Sequence, residues 1–186
     1  THIEPIRDSA HFRNALFYQL RQLRHHGVRS THDPWLTSSG IPDLLGLRPR
    51  GRMVWQNVQR VLPRLGVQAV LAGMDIRAEV FDESGWPESP PSLVVEAALA
   101  ASLLPRLDGR SSRAVRVRRT VVGILAAARL PSAVMAAVLQ VAPSTLRRLR
   151  QLPMDLALLN STRRYLAFAR ALGCLAGHQC VRAKSV

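Results

Sequence analysis

The sequence predicts a mostly α-helical protein, and three observations support this fold class. Leu, Ala and other strong helix formers dominate the apolar residues, which make up 47% of the chain, whereas aromatic residues make up only 5%. Apolar side chains recur at spacings of three and four, which is the period of one face of a helix. Proline or glycine lies just beyond most of these segments and can end them.

The helical segments can be placed in order along the chain. The first is expected over 8–26, with an apolar stripe that begins at Phe12 and with Gly27 at its end. A short helix is expected near Asp43 within 41–47. Further helices are expected over 53–72 (in pieces broken at Pro63 and Gly66), 92–104, 113–129, 132–140, 143–151 and 155–172. In the last helix the core-facing residues are expected to be Leu156, Leu159, Leu166 and Phe168.

One segment has the composition of a linker. Residues 82–91 are acidic and rich in proline, which favours an extended, solvated connection. The boundary placed there divides the chain into a first unit over 1–50, a connecting helical segment and linker over 51–91, and a helical domain over 92–186.

The charge of the chain indicates a polyanionic partner. There are 26 basic residues, 25 of them Arg, against 12 acidic residues, and the formal net charge is +14. An excess of this size attracts nucleic acid. A scaffold or RNA-binding protein with incidental charge stays open as an alternative. The sequence has neither a membrane-length apolar run nor a signal-peptide pattern, and its two cysteines do not form a secreted disulfide framework. We therefore expect no membrane partner and a cytoplasmic location.

Residues 113–151 predict a helix-turn-helix. The small residue Ala136 allows two short helices to cross closely, and Leu146 and Leu149 are spaced to dock the second helix. Pro143 suits the first turn of that helix, where a missing N–H costs nothing. Gln140 occupies the turn position that often holds a left-handed Gly, at a cost of about 1 kcal/mol.

The polar face of this motif is predicted to bind DNA. Hydroxyls near a helix start suit phosphate or base contacts, and arginine can fork onto guanine or grip phosphates. The expected contacts from the second helix are Ser144, Thr145, Arg147, Arg148 and Gln151. The preceding helix is expected to add phosphate contacts through Arg113, Arg116, Arg118 and Arg119. The alternative is an amphipathic helical hairpin with a solvated basic face.

The N-terminal residues resemble a known family. Arg7, Tyr18 and Gly27 keep the spacing found near the end of the catalytic domain of REP-associated tyrosine transposases, which belong to the HUH single-tyrosine superfamily. The segments 33–39 (Asp-Pro-Trp-Leu-Thr-Ser-Ser) and 43–48 (Asp-Leu-Leu-Gly-Leu-Arg) are similar to the next part of the chain in long members, which often add a C-terminal helix-turn-helix. The resemblance implies that 1–50 is the trailing helix and loops of an HUH catalytic domain.

The resemblance also implies a chemistry. In that family the tyrosine attacks a DNA phosphodiester, and a divalent metal, Mg or Mn, polarises the phosphate. By this likeness Tyr18 is the nucleophile and Gln22, four residues later on the same helix face, is one metal ligand. The family's other two ligands, in a His-hydrophobic-His strand, are not in this sequence. Without a preceding half that holds them, we expect no bound metal and no catalysis.

The sequence supports two functional hypotheses. The first is a DNA-binding protein related to single-tyrosine transposases, acting in DNA transposition or mobilisation of repeat elements on duplex and hairpin single-stranded DNA. The second is a stand-alone helix-turn-helix transcriptional regulator without catalysis. The target sequence is not predictable, and whether the chain forms a homodimer stays open.

Overall fold

The structure is a computed structural model, and it describes residues 5–25, 41–49, 51–63, 65–73 and 84–171. Within these ranges all regular structure is helical, which confirms the predicted mostly α class. The helices are α1 (Ser9–His25), α2 (Ile41–Leu44), α3 (Gly51–Val61), α4 (Val67–Gly73), α5 (Pro91–Ser102), α6 (Ser112–Ala127), α7 (Ser132–Leu139), α8 (Pro143–Gln151) and α9 (Leu156–Ala171). Each predicted helix agrees with the structure to within a few residues.

Helices α5, α6 and α7 end in the same way. A non-glycine residue with positive φ lies just beyond each helix: Leu103 and Gln140 directly follow α5 and α7, and Arg129 lies one residue further on after α6. The next residue donates its N–H back across the last turn, from Leu104 to Leu99, from Leu130 to Leu125 and from Val141 to Ala136. These next residues are apolar and pack against the core. This apolar contact accompanies the Schellman type of helix end and helps to offset the strain of the left-handed residue.

The core is centred on α5, which packs against α9 on one side and α6 on the other. The inner face of α5 is made of small residues, including Ala97, Ala98 and Ala101, which are almost fully buried. Small side chains allow neighbouring helix axes to approach closely. Larger side chains from the neighbours, such as Phe168 and Ile124, fill the remaining space.

The segment around α2 belongs to the same core. Leu45 and Leu47 are buried within the hydrophobic cluster that also contains Leu166 and Phe168 of α9. The turn after α2 has a left-handed Gly46, and the side chain of Arg164 lies against it. Buried side chains before and after the predicted domain boundary therefore pack in one cluster.

The described part of the predicted linker contacts the helical domain, although Ser84, Pro87, Glu88 and Pro90 are exposed. Residues Trp86–Glu88 form a 3₁₀ turn, and the guanidinium of Arg163 lies 4.4 Å from the centre of the Trp86 ring. Arg170 donates to the Gly85 carbonyl oxygen and pairs with Glu88 at 3.1 Å. Stacking on an aromatic face and an ion pair hold this segment against α9.

The prediction of core-facing residues in α9 is wrong at one position. Leu159, Leu166 and Phe168 are buried as expected, but Leu156 is 67% exposed. Leu156 is the first residue of α9, where the chain enters from the α8–α9 connection, and the core begins two residues later at Leu158.

Candidate nucleic-acid interface

Helices α7 and α8 form a helical pair with a tight turn of three residues. Gln140 adopts φ 52° and ψ 44°, the left-handed conformation expected at this position. Its N–H and that of Val141 donate to the last carbonyls of α7. The chain then enters α8 at Ala142, and Pro143 occupies the first turn. Proline fits there because the missing N–H would have had no partner within the helix.

Apolar side chains fix α8 against the rest of the domain. Leu146 and Leu149 are 2% and 6% exposed, and α8 packs against both α6 and α7. Met135 and Leu139 of α7 are buried in the same cluster, and Ala136 is half-buried beside them. The docking residues are three apart on one helix face, so the opposite face of α8 points to solvent.

That opposite face carries the side chains predicted to contact DNA. Ser144, Thr145, Arg147, Arg148 and Gln151 are all exposed. Within the described part of the chain, neither Arg147 nor Arg148 has a hydrogen-bond or ion-pair partner. A helix with 3.6 residues per turn places Ser144, Arg148 and Gln151 in one row, with Arg147 beside it.

The start of α8 is open to an external acceptor. The N-cap residue Ala142 has no side chain that can accept a hydrogen bond from the first N–H groups. By contrast, Ser111 caps α6 by accepting from the N–H of Ala114 at 3.2 Å, and Asp155 caps α9 by accepting from the N–H of Leu158 at 3.0 Å. The free N–H groups of α8 therefore lie beside the hydroxyls of Ser144 and Thr145, at the positive end of the helix dipole.

Two of the α6 arginines bind protein carbonyls. Arg113 donates to the carbonyl oxygen of Ser102. Arg118 donates to the carbonyl oxygens of Leu107 and Gly109, the latter at 2.9 Å. Both side chains thus fasten the connection between α5 and α6. The sequence shows that these residues are basic, but it does not show that backbone oxygens lie within their reach.

The other two α6 arginines differ from each other. Arg116 is 53% exposed and forms an ion pair with Asp155, with Nε 3.0 Å from Oδ2. Arg119 is half-buried, and its Nε has no hydrogen-bond partner among the described residues. The structure therefore does not present the four α6 arginines as one exposed basic row.

Arg150 is a further basic residue of α8, outside the set predicted to contact DNA. It is exposed, and one of its nitrogens lies 3.8 Å from the sulfur of Met135. It therefore lies on the α7 side of α8, away from the row of Ser144 and Arg148. Its position in the last turn of α8 is the sequence feature that could have indicated Arg150, because basic side chains are favoured near helix C-termini.

The N-terminal candidate residues lie on α1. Tyr18 is 62% exposed and lines an open groove together with Arg13, Phe17 and Leu62. Gln22 belongs to α1, but its side chain is outside the described residues. Gly27 and the 33–39 segment also lie outside them. The described side chains contain no group of three or more His, Cys, Asp or Glu residues that could hold a metal ion.

Comparison with protein-family models, with curated proteins and with solved structures found no match for this chain. Among the described helices, none is both long enough and apolar enough to cross a membrane.

Proposed function

We propose that this chain binds double-stranded DNA, with α8 lying in the major groove. The observation that carries this proposal is the solvent face of α8, where Arg147 and Arg148 are exposed and have no partner in the described part of the chain. The opposite face is docked through Leu146 and Leu149. A short helix that packs on the core through one face and exposes basic side chains on the opposite face has the form of a recognition helix.

The side chains of this face suit the edges of base pairs and the phosphates beside them. Arginine can donate two hydrogen bonds to guanine, and glutamine can pair in the same way with adenine. Arg148 and Gln151 lie in the row that faces away from the core. Ser144 and the open N–H groups at the start of α8 are suited to phosphate oxygens.

Duplex DNA fits this surface better than duplex RNA. The major groove of B-DNA is wide enough to admit an α-helix, whereas the corresponding groove of A-form RNA is deep and narrow. The basic surface of this chain is here an α-helix. Recognition of single-stranded RNA instead uses aromatic side chains that stack on bases, and the face of α8 has no aromatic residue.

We extend the proposal to a transposase-related role, as the C-terminal part of a single-tyrosine enzyme. Its support is the spacing of Arg7, Tyr18 and Gly27 together with the exposure of Tyr18, which a nucleophile needs. The test is a protein in which a preceding half supplies the histidine pair. Incubation with a labelled hairpin oligonucleotide and Mn²⁺ is expected to give a covalent protein–DNA adduct that Tyr18→Phe abolishes. An adduct that persists in Tyr18→Phe would contradict this role.

DNA binding itself is tested by fluorescence anisotropy with a labelled duplex over a salt series. We expect the logarithm of the affinity to fall linearly with the logarithm of the salt concentration. The double variant Arg147→Ala/Arg148→Ala is expected to lose about 1–3 kcal/mol of binding free energy if these side chains reach bases.

A matched control removes the same charge elsewhere. Arg60 of α3 and Arg106 of the α5–α6 connection are exposed and lie outside α7 and α8, so Arg60→Ala/Arg106→Ala is expected to bind nearly as tightly as the wild type. Absence of binding at low salt, or equal binding by the α8 variant, would show that α7 and α8 are a packing hairpin.

A further inference from the structure

The carboxylate of Asp155 makes two contacts in different directions. One oxygen, Oδ1, accepts a hydrogen bond from the N–H of Leu158 at 3.0 Å and caps α9. The other, Oδ2, lies 3.0 Å from Nε of Arg116 on α6. Asp155 is 21% exposed, so the pair is partly shielded from water. This one side chain thus joins the start of α9 to the outer face of α6.

The same connection touches α6 at a second point. The side chain of Met154 lies against Gly123, which has no side chain to block it. Arg116 and Gly123 are seven residues apart, which is two turns of α6 and places them on the same face. The chain that leaves α8 is therefore held along α6 by an apolar contact and an ion pair.

Helix α8 packs against α6 and α7 through a small buried face. It is nine residues long, and its buried side chains are Leu146 and Leu149, which lie within one turn of each other. Two contacts so close together fix where the helix lies but resist tilting only weakly. Tilt matters for recognition because side chains must meet base edges within a fraction of an ångström to make paired hydrogen bonds.

We infer that Arg116 is a positioning residue, which sets the orientation of α8 through Asp155 instead of gripping a phosphate. This inference rests on the proposed DNA-binding function. It replaces the expectation that Arg116 contacts the DNA backbone. The ion pair fastens the connection that follows the C-terminal end of α8, and the turn at Gln140 fastens its N-terminal end.

A phosphate-contact role and a positioning role of Arg116 predict opposite effects of Asp155→Asn on the affinity for DNA. If Arg116 grips phosphate, Asp155→Asn removes a nearby negative charge and tightens binding to every duplex. If Arg116 positions α8, Asp155→Asn breaks the pair and weakens binding to the preferred duplex. Asparagine is as good an N-cap as aspartate, so α9 keeps its cap in this variant.

The experiment compares the wild type with Arg116→Gln, Asp155→Asn and the double variant. The probes are a duplex enriched by the wild-type chain from a random pool and a mixed-sequence duplex of the same length. Each single variant is expected to lose up to about five-fold in affinity for the enriched duplex, which is the upper range for a partly exposed ion pair. The double variant is expected to lose no more than either single variant, because both remove one interaction.

Two further readouts separate positioning from direct contact and from general loss of stability. Affinity for the mixed-sequence duplex and the salt slope are expected to stay at wild-type values, whereas loss of a phosphate contact lowers the slope by about 0.9. Arg116→Lys keeps the charge pair and is expected to restore discrimination between the duplexes.

The outcomes also separate this inference from the proposed function. Tighter binding by Asp155→Asn, additive losses in the double variant or a reduced salt slope in Arg116→Gln would overturn the positioning role alone. A wild-type chain that binds neither duplex would overturn the proposed function and this inference with it.

Discussion

The backbone of Gly85 lies directly against the guanidinium of Arg170, which donates a hydrogen bond to the Gly85 carbonyl oxygen. A Cβ atom at position 85 would overlap this guanidinium. Gly85 has φ −74°, which any residue can adopt. A side chain at position 85 would therefore have to displace the end of the Arg170 side chain.

We expect Gly85→Ala to displace Arg170 and to lower the free energy of unfolding by about 1 kcal/mol, the size of a partly exposed hydrogen bond with a charged donor. Urea unfolding followed by circular dichroism measures this change. The control is the same substitution in an Arg170→Ala background, where the methyl group has room and little further loss is expected. An equal loss in both backgrounds would mean that Arg170 is not the cause.

The N-terminus of α6 offers a test with two adjacent serines. Ser111 accepts the N–H of Ala114, whereas Ser112 is the exposed first residue of the helix. We expect Ser111→Ala to cost about 1 kcal/mol, which is typical for the loss of a capping side chain. Ser112→Ala is expected to change the unfolding free energy by less than about 0.5 kcal/mol. The two thermal unfolding midpoints should therefore differ, and coincident midpoints would argue against the cap.

Two residues of the apolar stripe in α9 are expected to respond differently to truncation. Leu166 is fully buried, and Leu156 is 67% exposed. Leu166→Ala leaves a cavity and is expected to cost about 2–5 kcal/mol. Leu156→Ala is expected to change stability by less than about 0.5 kcal/mol. Denaturant unfolding of both variants measures the difference, and a large loss in Leu156→Ala would place that residue in a buried contact in solution.

Local patterns predicted the helices of this chain well. The ends of α7 and α8 were predictable because Pro131, Pro143 and Pro153 flank segments in which apolar residues recur at spacings of three and four. The left-handed turn at Gln140 was predictable from the spacing between the two helices. These signals work because each depends on residues less than two turns apart.

Long-range contacts were not predictable from the same patterns. Glu88 and Arg170 are 82 residues apart in sequence, and nothing local indicates that the acidic segment lies on α9. In the same way, the sequence of α6 indicates a basic face, whereas the structure brings protein oxygens to Arg113 and Arg118. An arginine that binds a protein oxygen and one that is open to phosphate look alike in sequence. The oxygens that Arg113 and Arg118 bind belong to the backbone, which every residue carries.

The turn between α7 and α8 gives the last prediction. Gln140 has φ 52°, and a side chain other than glycine in this conformation costs about 1 kcal/mol or more. We expect Gln140→Gly to raise the free energy of unfolding by up to about 1 kcal/mol, even though glycine also loosens the unfolded chain. Gln140→Val is expected to lower it by more than about 1 kcal/mol, because a β-branched residue tolerates positive φ poorly.

A graded series makes this prediction specific to the turn. Asparagine tolerates the left-handed region better than most residues, so Gln140→Asn is expected to lie between glycine and the wild type in thermal stability. At a right-handed helical position this order of thermal stability would be reversed, because glycine is the most destabilising of these residues there. If Gln140→Gly destabilised the chain and Gln140→Val did not, the turn would not be left-handed in solution. The orientation of α8 against α6 and α7 would then need another explanation.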